Sequence, residues 1–119
     1  MEILTKRVYE PWSEDDGFRV LVDRLWPRGI AKDKGRIDLW YKEIAPSHEL
    51  RQWFHHETAN WPEFQRRYRL ELEAMPETVA AFSALLAGKE KVTLLYGAKD
   101  EAHNQAVELR SFLAARKGL

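Results

Sequence analysis

The most constraining feature of the sequence is an apolar run from Lys91 to Tyr96, which reads K-V-T-L-L-Y. A half-buried strand would alternate apolar and polar side chains, and this run is continuous. Such a strand is buried on both faces and is typical of the centre of a parallel sheet. The sequence therefore predicts an α/β chain in which this strand is central.

Two further strands are predicted near the amino terminus. The first covers Glu2–Val8, and the second covers Phe18–Leu25, ending before Pro27 because proline cannot continue a central strand. The polar link Tyr9–Gly17 between them is short. Parallel neighbours usually need a crossover of a dozen or more residues, so the residues alone favour an antiparallel hairpin.

Helical periodicity predicts five helical segments, of which the first is a short turn. They are Asp38–Ile44, Ser47–His55, a helix from Asn60 to about Met75, Pro76–Leu86 and Glu101–Arg116. Ser47 is predicted to cap the second segment. Asn60 and Glu63 form a variant of the capping box at the start of the third.

Composition limits the classes of protein to which the chain can belong. It has 119 residues, no cysteine and a formal net charge of zero, which together favour one domain over residues 1–119 and exclude disulfides and thiolate sites. No apolar run approaches the roughly 20 residues of a membrane span, and no signal peptide is recognisable. We therefore expect a cytoplasmic protein with no membrane partner.

Charge is unbalanced in one stretch, Arg19–Arg36, where six Arg or Lys stand against two Asp. A basic patch on a neutral protein suits a small or local anion better than a long polyanion. Part of this stretch follows the second strand, and in open α/β sheets ligands bind beyond the carboxyl ends of strands. The stretch therefore predicts an anion site at that edge.

The candidate site joins residues that follow the predicted strands. The residues predicted to bind the anion are Lys6, Arg24, Trp26, Arg28, Gly29, Lys99 and Asn104. Those predicted to orient it or accept a proton are Asp23, Asp100 and His56. Arginine offers a forked donor to phosphate or carboxylate, and amides at a helix start attract anions. An ordinary role stays open for each carboxylate, as a helix cap for Asp100 and as an ion-pair partner for Asp23.

Histidine and tryptophan add little chemistry to this pattern. His55 and His56 are adjacent, so on a helix they diverge by about 100°, and the sequence has no H-E-x-x-H motif. We therefore expect neither a metal nor a cofactor. Trp26 is chosen as the ligand-facing ring because Pro27 and two arginines surround it. Core positions are predicted for the other tryptophans of the central region, Trp40, Trp53 and Trp61.

Several segments resemble the uncharacterised YeaO-like family, within the group called domain of unknown function 488. The segments are K-R-V-Y at Lys6–Tyr9, D-G-F-R-V-L-V-D-R-L-W-P-R-G at Asp16–Gly29, A-P-S-H-E-L-R-Q-W-F-H-H at Ala45–His56, W-P-E-F-Q-R-R-Y at Trp61–Tyr68 and V-T-L-L-Y-G-A-K-D at Val92–Asp100. They cover nearly the whole chain. The resemblance identifies a family and supplies no established function.

The resemblance implies an α/β sandwich with mostly parallel strands, which we prefer to the hairpin. Longer members of the group carry a V-D-V-R-type strand end, matched here by Val22-Asp23-Arg24, and a cysteine-containing segment with a C-H-R-like motif before the last helix. Only His103-Asn104 stands loosely at the second motif, and the cysteines are absent. Thiol chemistry therefore does not transfer to this chain.

The sequence as a whole predicts a single three-layer α/β domain with a small, mostly parallel sheet of three or more strands and five or so flanking helices. Its best-supported function is binding of a phosphate- or carboxylate-bearing small molecule, including a nucleotide, with or without catalysis. The alternatives are a nucleic-acid accessory module that uses Trp26 and the basic loop, and a structural domain without chemistry. Reaction, substrate and oligomeric state stay open.

Overall fold

The fold is built on a small parallel sheet. The computed structural model describes residues 1–55 and 57–116, and within them four strands form one sheet. In chain order the strands are β1 (Glu2–Arg7), β2 (Phe18–Leu21), β3 (Leu39–Trp40) and β4 (Lys91–Tyr96). Their spatial order is β1-β4-β2-β3, and every pairing is parallel. The predicted α/β class and parallel sheet are confirmed.

β4 lies between β1 and β2, as its continuous apolar run predicts. Val92 and Leu94 contact the core on one face, while Leu95 contacts a smaller cluster on the other, and all three are buried. The hairpin between β1 and β2 is wrong. The strand with the most apolar surface takes the centre, so each of these two strands pairs with β4 instead of with the other.

The described helices pack on one face of the sheet. They are α1 (His48–Phe54), α2 (Trp61–Glu73), α3 (Pro76–Leu86) and α4 (Gln105–Ala115), and each contributes side chains to the core that contains Val20, Val92 and Leu94. Among these helices, none combines the length and apolarity that a membrane crossing requires. Trp61 packs against this core, whereas Trp53, predicted as core, keeps 37% of its surface exposed under the Arg67 guanidinium.

Three local predictions are corrected by the structure. Asn60 makes no side-chain capping hydrogen bond, because its backbone (φ −91°, ψ 4°) is not extended as that of an N-cap residue usually is, and Glu63 pairs with Arg66 and Arg67. The last helix begins at Gln105, four residues later than predicted, with Asn104 as its cap. The segment Asp38–Ile44 is not a single helical turn. It contains β3, which pairs with β2, and then a short 3-10 turn over Lys42–Ile44.

The opposite face of the sheet is covered by the long loop between β2 and β3. Trp26 from this loop packs edge-on against Trp40 with the ring centroids 5.3 Å apart, and Ile30 and Ile37 complete the cover over Leu21 and Leu95. Beneath it, Arg19 is buried and binds the Asp16 carboxylate and the Arg36 and Gly35 carbonyl oxygens. The third layer is therefore a loop held by an internal arginine.

The segment Ile44–Ser47, which leads into α1, is fixed by side chains from three distant positions. Tyr68 donates from its hydroxyl to the Ile44 carbonyl at 2.7 Å. Arg24 donates to the carbonyls of Ala45 and Pro46 at 2.9 and 3.1 Å. The Glu71 carboxylate accepts from the amide and hydroxyl of Ser47 at 2.8 and 2.5 Å. Ser47 also caps α1 as predicted, accepting from the Leu50 amide, so α1 is held firmly against the core.

Candidate ligand-binding cleft

A cavity of about 280 Å³ opens beyond the carboxyl ends of β2 and β4, between α1 and the start of α4. Its lining consists of Leu25, Pro46, His48, Arg51, Gln52, Phe54, His55, Phe64, Asn104 and Gln105. We call it the α1–α4 cleft. This is the position at which open α/β sheets hold ligands, and the lining combines apolar rings with a few polar groups, as ligand sites usually do.

One wall of the cleft is a polar stripe on α1. His48, Arg51, Gln52 and His55 follow one another at intervals of three, one and three residues, which places them on the same side of a helix. Leu50 turns toward the core and is buried. His55 directly follows the helix with a φ of 40°, and its amide donates to the Arg51 carbonyl at 2.9 Å. Helical spacing therefore lines up His48, Arg51 and Gln52 along the cleft, and the left-handed turn after the helix adds His55.

Arg51 is the cationic residue of this stripe. Within residues 1–55 and 57–116 its guanidinium makes no hydrogen bond, although it attracts the carboxylate of Asp23. The guanidinium of an arginine at a protein surface usually donates hydrogen bonds to carboxylate or carbonyl oxygens. Arg24 does so, since it is bonded to two backbone carbonyls. The donors of Arg51 are thus available to a molecule in the cleft.

Asp23 lies just after β2 and ties three elements together. Its Oδ2 accepts the Gly97 amide after β4 at 2.9 Å, and its Oδ1 accepts the side-chain amide of Gln105. Burial raises the pKa of Asp23 to about 6, against the opposing effects of the Gly97 amide, the Arg51 charge and Gln105. A Cβ at position 97 would lie 2.9 Å from Asp23 Oδ2, so glycine permits this approach.

Asp100 organises the turn that precedes α4. Its Oδ1 accepts the amides of Ala102 and His103 at 2.9 and 3.0 Å, and its Oδ2 lies 2.9 Å from His103 Nδ1. The hydrogen bond with the His103 ring lowers the pKa of Asp100. Asn104, which lines the cleft, accepts the Val107 amide and donates to the Asp100 carbonyl. Two amides of the turn before α4, those of Ala102 and His103, are therefore already bonded to Asp100.

The residues predicted from sequence to form the site do not lie together. Asn104 lines the cleft, Asp23 lies beside it through its hydrogen bond with Gln105, and Asp100 is bonded to Asn104. Arg24 is bonded to carbonyls before α1. Lys99 is exposed after β4. His56 lies outside the described residues.

The remaining predicted ligand residues belong to the loop-covered side of the sheet. Trp26 donates from its indole to the Ile30 carbonyl at 2.6 Å. Arg28 is exposed and its carbonyl accepts the Tyr9 hydroxyl, while Gly29 turns the loop with a φ of 80°. Lys6 pairs with Asp16 at 3.0 Å and donates to the Pro11 carbonyl at 2.7 Å. Trp26 and Lys6 have internal structural partners, and Arg28 and Gly29 lie apart from the cleft lining.

Of the polar residues that line the cleft, the sequence predicted Asn104 and missed the others. These are His48, Arg51, Gln52, Gln105 and, except as a rejected metal ligand, His55. The spacing of the α1 stripe was a usable signal, because an amphipathic helix with basic side chains along its polar face can wall a cleft. Gln105 carried no such signal. Among the described residues, no group of three or more His, Asp or Glu side chains could hold a metal ion.

Comparison with known proteins places the chain among uncharacterised bacterial sequences. The family described as "Inactive DUF488-N3 subclade" matches residues 2–117. The "Uncharacterized protein YeaO" of Escherichia coli (strain K12) is 47% identical over 113 residues, covering 95% of this chain and 97% of that one. The "Uncharacterized protein Rv3073c" of Mycobacterium tuberculosis (strain ATCC 25618 / H37Rv) is 44% identical over 112 residues, covering 92% of each. No solved structure shows a significant match.

Proposed function

The chain belongs to the YeaO-like family of the DUF488 group, in the subclade described as inactive, and on that premise we propose that it binds a small anionic molecule without transforming it. The proposed site is the α1–α4 cleft. The observation that carries the proposal is the guanidinium of Arg51, which lies on the wall of a preformed cavity and makes no hydrogen bond within the described residues.

The polar wall supports an anionic group as the anchor of the ligand. Arg51 offers a planar pair of N–H donors, which match a carboxylate or a phosphate in a bidentate way. His48 and His55 lie on either side of it along the helix, and each gains positive charge when protonated. Gln52 adds a neutral donor. Together these groups favour a ligand whose charged end is a carboxylate or a phosphate.

The apolar wall supports a flat body attached to that group. Leu25, Pro46, Phe54 and Phe64 contribute carbon surface to the same cavity. A volume of about 280 Å³ suits a ligand the size of an aromatic acid or a small nucleotide. Phe54 and Phe64 are stacked with their centroids 4.4 Å apart, so this wall is rigid. A rigid wall reduces the entropy lost on binding.

We propose no catalytic role for this site because the carboxylates beside the cleft are already hydrogen-bonded to other groups of the fold. Both oxygens of Asp23 accept hydrogen bonds from groups of the fold itself, which leaves the residue positioned to organise the cleft rather than to take a proton from a ligand. The Asp100 carboxylate is bonded to two amides and a histidine of its own turn. The sequence has no cysteine to act as a nucleophile. The family description points the same way.

Calorimetric titration with benzoate, orthophosphate and adenosine monophosphate tests this proposal. At least one of these anions is expected to saturate the wild-type protein, and Arg51→Gln is expected to weaken its binding by about tenfold or more, the cost of a charged hydrogen-bonded pair. Arg28→Gln is the matched control, since that arginine is exposed on the loop away from the cleft, and its affinity should be unchanged.

A second candidate, binding of single-stranded nucleic acid, is favoured by one observation on the loop side. The Arg36 guanidinium lies 4.2 Å from the centroid of the Trp12 ring, and Trp12 keeps 43% of its surface exposed beside the basic loop 28–36. Exposed aromatic and basic groups can stack bases. This candidate predicts that an oligonucleotide binds the wild-type protein with an affinity that falls steeply as salt is raised. If Arg28→Gln weakens that binding and Arg51→Gln does not, this candidate replaces the first.

A further inference from the structure

We propose, as a refinement that rests on the proposed function, that Asp23 and Gln105 fix the hydrogen-bonding polarity of the α1–α4 cleft, so that the cleft selects anions that also carry an N–H or O–H donor. The ligand class is then an aromatic or heterocyclic anion with an amino, amide or hydroxyl group. Asp23 acts as a positioning residue, and Gln105 is the residue that touches the ligand.

The orientation of Gln105 follows from the charge state of its partner. Gln105 begins α4 and lines the cleft, and its Nε2 donates to Asp23 Oδ1. An ionised carboxylate can only accept hydrogen bonds. The amide of Gln105 must therefore turn its NH₂ group toward Asp23 whenever Asp23 is ionised, and the two ends of the amide are no longer interchangeable.

Asp23 cannot itself turn to accommodate the opposite orientation. Its second oxygen accepts the Gly97 amide at 2.9 Å, and the neighbouring Val22 amide donates to the Leu95 carbonyl at 3.0 Å. Position 97 is a glycine against which the carboxylate packs closely. The carboxylate is thus held by the ends of two adjacent strands, which gives Gln105 a fixed reference.

The consequence is an acceptor left for the ligand. Gln105 Oε1 accepts no hydrogen bond from residues 1–55 and 57–116, and it is not among the fully buried unpaired atoms of that region. The adjacent Asn104 has its own oxygen committed to the Val107 amide and its nitrogen donating to the Asp100 carbonyl. A bound molecule therefore meets Arg51 as a donor and Gln105 Oε1 as an acceptor in the same cavity.

Matched pairs of small aromatic acids test this selectivity. The probes are 3- and 4-aminobenzoate against 3- and 4-methylbenzoate, which have nearly the same shape and differ in whether they can donate. The titrations are done near pH 7.5, where Asp23 is ionised. Of the two aminobenzoates, the one that binds the wild-type protein more tightly is expected to bind about tenfold more tightly than the methylbenzoate substituted at the same position. The reason is that a site built around a hydrogen bond rejects the analogue that lacks it.

Two variants separate this role from a merely structural one. Gln105→Met keeps the length of the side chain and removes the acceptor, so this variant should bind the aminobenzoates and the methylbenzoates equally. Asp23→Asn presents an NH₂ group to Gln105, which then turns its oxygen toward Asn and its NH₂ toward the cleft. The preference should move from the aminobenzoates to 3- or 4-acetylbenzoate, which accept. Loss of a structural link alone would not invert a preference.

The results also separate this proposal from the one on which it rests. If the wild-type protein binds the aminobenzoates and the methylbenzoates equally, and both depend on Arg51, Gln105 does not present an acceptor to the ligand. The proposal that the cleft binds anions is then unaffected. If Gln105→Met still prefers the aminobenzoates over the methylbenzoates, the role assigned to Gln105 is wrong. No binding of any benzoate by the wild-type protein overturns both.

Discussion

The Arg19→Met variant is expected to lose about 3–5 kcal/mol of unfolding free energy, the cost of breaking a buried ion pair from one side. Arg19 is 2% exposed and binds the Asp16 carboxylate together with the carbonyls of Arg36 and Gly35. Methionine fills much of the volume but satisfies none of these acceptors. Lys6 remains 3.0 Å from Asp16 and compensates part of the uncovered charge.

Urea unfolding followed by tryptophan fluorescence measures this loss. The matched control is Arg110→Met on the exposed face of α4, which should change the unfolding free energy by no more than about 0.5 kcal/mol. Because the arginine anchors the loop over the sheet, the fluorescence of Trp26 should also shift in the folded variant. A loss below about 1 kcal/mol would contradict the assigned role of Arg19.

The Asp23→Asn variant is expected to change how stability depends on pH. Burial raises the pKa of Asp23 in the folded protein to about 6, against 3.8 as the ordinary value. The folded state therefore holds this proton more tightly than the unfolded chain does. Its stabilising effect is fully present below about pH 3.8 and is lost as the pH rises toward 6, by about 3 kcal/mol in all.

Asparagine cannot ionise, so the variant lacks this slope while its amide still accepts from Gly97. Unfolding free energies of both proteins, measured in urea at a series of pH values from 4 to 7, give the difference that isolates Asp23, because the other carboxylates contribute equally to both. The variant should gain about 2 kcal/mol relative to the wild type between pH 4 and pH 7, which is most of the full effect. Parallel profiles for the two proteins would show that Asp23 is not desolvated in the folded state.

The elements that the sequence predicted well are those with a signal along the chain. β4 was placed at the centre because its apolar run leaves no polar face, and its bounds agree with the structure. α3 starts at Pro76 and ends at Leu86, as its proline and periodicity indicated. β3 was missed because a strand of two residues shows no period, and its pairing partner β2 lies 18 residues earlier.

The site was harder to predict because its geometry depends on contacts between distant residues. Arg24 and Arg28 were obvious cations, but one is bonded to carbonyls at positions 45 and 46, which no local pattern announces. Asp23 was identified correctly as a residue of the strand end. Its partners Gly97 and Gln105 lie more than 70 residues away, so neither the raised pKa nor the fixed amide of Gln105 could be read from the sequence.

The proposed ligand site is the α1–α4 cleft, with Arg51 as the residue that anchors the anion. The most direct test is a titration of the ¹⁵N-labelled protein with benzoate, followed residue by residue in ¹H–¹⁵N correlation spectra. We expect saturable shifts that are largest at Arg51, Gln52, Asn104 and Gln105 and that vanish in Arg51→Gln. Shifts centred on the loop 28–36, or shifts at the cleft that persist in Arg51→Gln, would contradict this proposal.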